Sequence, residues 1–239
     1  MIRYEKSLII AGPTTTGKTD IAFRVGEEIG GEIINADKFY LVGGFLSMTG
    51  LPDFSDHSTV PHHLYEILHP TDEPLTDSDF VSMVRSIEQQ IRDRGNFPII
   101  EGCYHRFTKA LLDSKRSYIC VGIKWSSISD LESRVNKRVD KIFDEMGGIE
   151  EVREGLRKGW RDTYLMRKGS MIKPVVEYLD GEISLELARK KAVADIIYAA
   201  FKAYRRFLDI PEIRWVENEP SRSEEVTRNV IGIVKGALG

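Results

Sequence analysis

Gly12-Pro-Thr-Thr-Thr-Gly-Lys-Thr19 is the stretch of this 239-residue chain whose residue types and spacing most directly specify chemistry. Glycines at positions 12 and 17 let the backbone curl, so that several N–H groups point into one hollow. A helix starting just after them adds the partial positive charge of its amino end. Gly12, Thr14, Thr15, Thr16 and Gly17 are expected to build that hollow. Lys18 adds a full charge on a flexible stem, and the Thr19 hydroxyl is the expected ligand of a Mg2+ ion. Such a loop grips a polyphosphate. The motif leaves open which polyphosphate it is and what becomes of it.

The elements that must position this loop are legible around it. Ser7-Leu-Ile-Ile-Ala11 is a short apolar run, as in a buried parallel strand. From Lys18 to Ile29 the apolar positions Ile21, Ala22, Val25 and Ile29 recur at helical spacing, and Gly30-Gly31 closes the helix. Glu32–Asp37 reads as a second strand with Asp37 at its carboxyl end, where ligands bind in open α/β sheets. A carboxylate there can take a proton from a nucleophile or bind Mg2+, and equally can cap a turn. Residues 41–60, rich in Gly, Ser, Thr and Pro, read as loop. A helix over Asp77–Arg92 capped by Thr76, a third strand at Phe97–Glu101 and a fourth at Tyr118–Trp125, expected to end the sheet, follow in order. Charged helical segments come next at Asp130–Glu145 and Ile149–Lys158, then a long amphipathic helix at Leu185–Leu208. A short strand at Ile213–Val216 and a helix at Ser223–Ala237 end the series. The fold class expected is α/β, a P-loop NTPase-like parallel sheet flanked by helices, with a small helical lid or side lobe. Residues 1–125 read as the P-loop core, 126–185 as the lid or side lobe, and 186–239 as C-terminal helices completing the core.

Composition narrows the class further. With 41% hydrophobic and 30% charged residues the chain can bury one substantial core. No apolar run is long enough to span a bilayer, so no membrane partner is expected. Cys103 and Cys120 have neither metal nor CxxC spacing, which fits a reducing, cytoplasmic setting. A net charge of -3 supplies no overall pull towards nucleic acid. Adjacent His62 and His63 lack a third ligand nearby and read as loop contacts rather than a metal site. Trp125, Trp160 and Trp215 read as packing anchors, and the charged residues from Arg134 to Lys158 as mostly a solvated face.

Taken in order, the motifs resemble the isopentenyltransferase family, which holds adenylate isopentenyltransferases and tRNA dimethylallyltransferases. The resemblance starts with Gly12-Pro-Thr-x-x-Gly-Lys-Thr19 and Glu32-Ile-Ile-Asn-Ala-Asp37. It continues through Thr49-Gly50-Leu51-Pro52, Val60-Pro-His-His-Leu64 and Pro98-Ile-Ile-Glu-Gly102. Arg134-Val-x-x-Arg138-Val-Asp140, Gly148 and Glu151 are similar to the family's arginine-bearing lid, and the likeness spans residues 6–215. The resemblance implies that the loop holds dimethylallyl diphosphate rather than ATP, and that the N6 amine of an adenine attacks its allylic carbon. Lys18, Thr16, Thr19, Mg2+ and Arg138 would then neutralise the leaving diphosphate, with Asp37 as the base. Thr49 would contact an adenine ring nitrogen, and Gly102 would precede the substrate loop. The chain departs from the family pattern at Tyr40, where relatives have glutamine, and at Cys103, the second residue of a Gly-Gly pair. It departs again over Ala200–Arg206, where a basic-basic-glutamine run is usual.

Lys38 directly after Asp37 is similar to enzymes acting on free nucleotides, and the chain is compact. The expected acceptor is therefore AMP, or else ADP or ATP, giving a cytokinin precursor, with tRNA as the alternative. Two further readings use the same loop differently. A small-metabolite kinase would bind ATP there, with Glu101 at the end of the third strand, and a regulatory module would bind nucleotide without turnover.

Overall fold

Strand β1 (Ser7–Ala11) is buried along its whole length, with its side chains alternating between two cores. Leu8 and Ile10 pack on one side of the sheet, Ile9 and Ala11 on the other. The computed structural model describes residues 5–51, 59–114 and 116–238. Around β1 the described strands form a six-stranded parallel sheet: β2 (Gly31–Asn35), β3 (His62–His63), β4 (Phe97–Gly102), β5 (Tyr118–Trp125) and β6 (Arg214–Asn218). Their order is β3-β2-β4-β1-β5-β6. Every pairing is parallel, as the buried apolar runs require. The fold is α/β and P-loop NTPase-like.

Two helices cover the face to which Leu8 and Ile10 point. They are α1 (Lys18–Ile29), ended by Gly30 at φ 68°, and α10 (Ser223–Leu238), which packs against it. The opposite face is covered by α3 (Asp77–Asp93) and α4 (His105–Asp113), whose Phe80 and Phe107 rings stack with centroids 3.8 Å apart. Thr76 caps α3, its hydroxyl accepting from Asp79 N at 3.1 Å. A separate apolar cluster joins α5 (Ile128–Asp144), α6 (Gly148–Arg157), α7 (Tyr164–Lys168), α8 (Ile172–Leu179) and α9 (Leu185–Phe207). Helix α9 packs along α5 and α8, while Phe207 at its end enters the core under the sheet.

Several boundaries differ from the sequence expectation. The second strand stops at Asn35, because Asn35 turns the chain: its Oδ1 accepts from Asp37 N at 2.7 Å and its Nδ2 donates to Leu64 O at 2.9 Å. Within the expected loop at 41–60 lies a short helix, α2 (Leu46–Thr49). The Glu151 carboxylate sets it by accepting from Ser47 N and Met48 N at 2.8 and 2.9 Å. Pro52 and the rest of residues 52–58 lie outside the described residues. Strand β5 does not end the sheet. β6 pairs beyond it, Val121 with Arg214 through Trp125 with Asn218.

Candidate active site

The phosphate loop joins β1 to α1 and keeps the curled geometry its glycines permit. Gly12 has φ 142°, and a Cβ there would sit 2.2 Å from Ile123 O, so only glycine lets the loop cross β5 this closely. Thr15 takes φ 64° and Gly17 φ 79°. The Lys18 ammonium is buried and donates to Pro13 O at 2.7 Å, and the Thr16 hydroxyl donates to the same carbonyl at 3.1 Å. Two residues remote in sequence fasten the loop from outside. Asn218 at the tip of β6 donates to Thr16 O at 2.7 Å. Arg134 of α5 donates to Asn218 O at 2.7 Å and to Thr15 O at 3.5 Å.

Over the loop lies a hollow of about 370 Å³ lined by Thr14, Thr15, Gly17, Lys18, Thr19, Asp37, Glu101, Arg134 and Arg138, among others. Arg138 spans its rim, donating to Thr14 Oγ1 at 3.3 Å and to Thr49 O at 2.6 Å. A second, largely apolar hollow of about 120 Å³ adjoins it. Phe39, Met48, Leu165, Met171, Ile172 and Ile196 help line it. Thr14, Asp37, Tyr40, Cys103 and Arg138 belong to both walls. An anionic head and an apolar tail of one ligand therefore have adjacent places, and Asp37 stands where they meet.

Asp37 is nearly buried and held at both oxygens: Oδ1 accepts from Phe39 N at 2.9 Å, and Oδ2 from the Cys103 thiol at 2.6 Å. Burial, and then the Asp37 carboxylate, push the Cys103 thiol well above its ordinary range, so the thiol keeps the proton it donates. Tyr40 is raised as well, by burial first, and its hydroxyl donates to Gly50 O at 3.0 Å. Glu101, near the end of β4, is pushed up to about 7 by burial, against the pull of Lys18. Asp37 raises it further, and a hydrogen bond with Thr19 lowers it. Its Oε2 is buried with no hydrogen-bond partner among the described residues. Among the described residues no three His, Cys, Asp or Glu side chains group to hold a metal alone. The Thr19 hydroxyl and the orphaned Glu101 oxygen are hard donors, the kind Mg2+ takes alongside phosphate oxygens and water, so the residues present fit that ion.

The structure brings Thr14, Thr15, Gly17, Lys18, Thr19, Asp37 and Arg138 together at one hollow. Thr49 lines the adjoining apolar hollow, whereas Gly102 and Lys38 line neither. The Thr49 hydroxyl turns back to Phe45 O at 2.8 Å, so its carbonyl, not its hydroxyl, meets Arg138. Gly102 admits the backbone of Ala36, since a Cβ would lie 2.2 Å from Ala36 C, and it serves as a packing position. Lys38 lies over the rings of Phe39, Tyr104 and Tyr164 at 5.0, 4.9 and 4.8 Å and bonds the Tyr164 hydroxyl. His63 meets the Glu32 carboxylate at 2.7 Å in β3. Trp125 packs on Phe201 and Tyr204, Trp160 on Phe45, and Trp215 on Tyr204. Arg134 is legible from sequence only as part of the arginine-bearing lid motif and a charged face, and Asn218 carries no local signal. That both fasten the loop shows only once α5 and β6 converge on it.

Fold and site together define a P-loop NTPase-like α/β protein with a hollow lined by Lys18, Arg134 and Arg138 opening on an apolar one. The model of the IPP transferase family matches residues 45–119 and 113–206. The chain belongs to that family and is a prenyltransferase. It is 24% identical over 311 aligned positions to the tRNA dimethylallyltransferase of Pelotomaculum thermopropionicum, covering 99% of this chain and 98% of that one. That alignment is longer than the present chain, so the relative carries segments without a counterpart here. Adenylate isopentenyltransferase 8, chloroplastic, of Arabidopsis thaliana is 31% identical over 172 residues, 62% of this chain and 52% of that one. Among solved structures, the full-length tRNA isopentenylpyrophosphate transferase of Bacillus halodurans superposes with a TM-score of 0.85 at 20% identity, covering 98% of each chain. No helix among the described residues is long and apolar enough to cross a membrane.

Proposed function

We propose that this chain transfers the dimethylallyl group of dimethylallyl diphosphate to the N6 amine of an adenine carried by tRNA. The observation that carries this reading is the position of Asp37 in the wall common to the cationic and the apolar hollow. In the proposed reaction the bond from the allylic carbon to the diphosphate oxygen breaks as the bond from N6 to that carbon forms. The proton leaving N6 passes to the Asp37 carboxylate. Lys18, Arg138 and the loop N–H groups stabilise the charge gathering on the leaving diphosphate. Mg2+, held through Thr19, would supply further neutralisation of that charge when bound. The thiol of Cys103 and the N–H of Phe39 keep the carboxylate aimed at the junction.

The sequence expectation of a free nucleotide acceptor rested on Lys38 and on compactness. Lys38 faces a ring cage beside the site, and relatives matched almost end to end are named for tRNA. A second reading, AMP as acceptor, is kept by the 31% identity to a plant adenylate enzyme. The deciding assay offers dimethylallyl diphosphate with tRNA, AMP, ADP and ATP in parallel, with products read by mass spectrometry. Prenylated adenosine in tRNA is the expected product. N6-prenyl AMP with unmodified tRNA would establish the second reading, and ADP formed from ATP with an added alcohol would make the protein a kinase.

A further inference from the structure

Glu101 is a carboxylate in the otherwise apolar strand Phe-Pro-Ile-Ile-Glu-Gly, where it is only 2% exposed. It stands in register with Ile10 of β1 and Asn35 of β2, at the edge of the sheet from which the phosphate loop springs. One of its oxygens makes no hydrogen bond among the described residues, although an unpaired buried carboxylate oxygen is costly. The proposed transfer does not use it, because Asp37 takes the proton. The carboxylate nevertheless lines the phosphate hollow, with Thr19 as a hydrogen-bonding neighbour. A diphosphate entering there would bring further negative charge next to Asp37 and Glu101.

We propose that Glu101 anchors a divalent-cation site completed by the Thr19 hydroxyl and by oxygens of the bound diphosphate. The inference rests on the reading of this hollow as a diphosphate site. Hard oxygen donors suit Mg2+ or Mn2+, and the cation compensates a carboxylate that the protein itself leaves unpaired. Glu101 is thereby a residue of the metal site, with Asp37 kept free for the amine. The Thr19 hydroxyl can donate its proton towards Glu101 and turn a lone pair to the ion.

The test uses inorganic diphosphate and Mn2+, without prenyl donor or acceptor. In calorimetry the wild type should bind diphosphate more tightly with Mn2+ than without. Glu101→Gln, which keeps the side-chain volume, should weaken Mn2+ binding roughly 10–100-fold, while metal-free diphosphate binding holds or tightens because a like charge beside the anion is gone. A glutamine variant that holds Mn2+ as tightly as the wild type overturns the inference and leaves the prenyl-transfer reading standing. A wild type that binds no diphosphate under either condition overturns both. A wild-type arm makes the outcome independent of the variant's folding. Electron–nuclear double resonance on protein labelled with 13C-glutamate should detect a carboxylate carbon beside Mn2+ in the diphosphate complex. Absence of that coupling also overturns the assignment.

Discussion

At the scale of single residues, Asp37, the proposed base, is only lightly occupied. One oxygen takes a backbone N–H and the other a thiol that burial keeps protonated, which leaves lone pairs for an incoming amine. Replacing Asp37 by alanine should lower the transfer rate about 10²–10⁴-fold, the usual contribution of a general base. Diphosphate affinity should change little, because Lys18, Thr19 and Arg138 stay. Single-turnover kinetics alongside calorimetry checks both, and transfer at the wild-type rate would remove Asp37 from the chemistry. The loop and Asp37 were legible in the sequence because each depends on local spacing: glycines where the backbone curls, a carboxylate where a strand ends. Thr49 and Gly102 were legible as positions only. Whether a threonine offers its hydroxyl or its carbonyl depends on the turn that consumes the hydroxyl, here the one closing on Phe45. Glu101 was visible as a strand-end acid, but its unpaired oxygen appears only with the packing around it.

At the scale of elements, the phosphate loop is fastened by a strand and a helix remote in sequence. Asn218 at the end of β6 and Arg134 on α5 hold the carbonyls of Thr16 and Thr15 from behind, so the N–H groups on the other side stay converged. Asn218→Ala removes the bond to Thr16 O. One such bond contributes about 1 kcal/mol, so diphosphate affinity should fall about fivefold while the far-ultraviolet dichroism stays unchanged. Equal affinity by calorimetry would mean that the loop holds its shape unaided. The apolar strands β1, β4 and β5 could be read directly, since burial on both faces makes them nearly continuous hydrophobic runs. The elements that escaped have other physical origins. Helix α8 carries Pro174 in its first turn, where the missing N–H has no intrahelical partner to lose, although a proline in sequence suggests a break. Helix α2 exists because Glu151, about a hundred residues away, supplies the acceptor for its first N–H groups. Strand β3 is two residues long, too short for any alternation to show.

Across the whole molecule, the sheet separates function from acid stability. The candidate site lies beyond the carboxyl ends of β1, β2 and β4. At the amino end of β2, Glu32 is buried among Arg94, Asn96 and His63, with hydrogen bonds of 2.7 to 2.9 Å. Burial by itself would raise this carboxyl, but the bonds from Arg94, Asn96 and His63 prevail and hold it at about 2. Its folded value is thus below its unfolded one, so the charged form favours the folded state. That stabilisation is complete above the ordinary carboxylate range and is lost as pH falls from about 4.5 towards 2. The linkage is worth at most about 3 kcal/mol, a large share of what holds a domain folded. In urea titrations, Glu32→Gln should therefore be less stable than the wild type at pH 7, and the difference should shrink towards zero as the pH approaches 2. Because the cluster ties β2 to β3 and to the end of α3 without touching the phosphate loop, the transfer rate of the folded variant at pH 7 should match the wild type. A stability gap that stays constant with pH would show that the glutamine acts through shape rather than charge. A lost transfer rate in a folded variant would show that the two ends of the sheet are coupled.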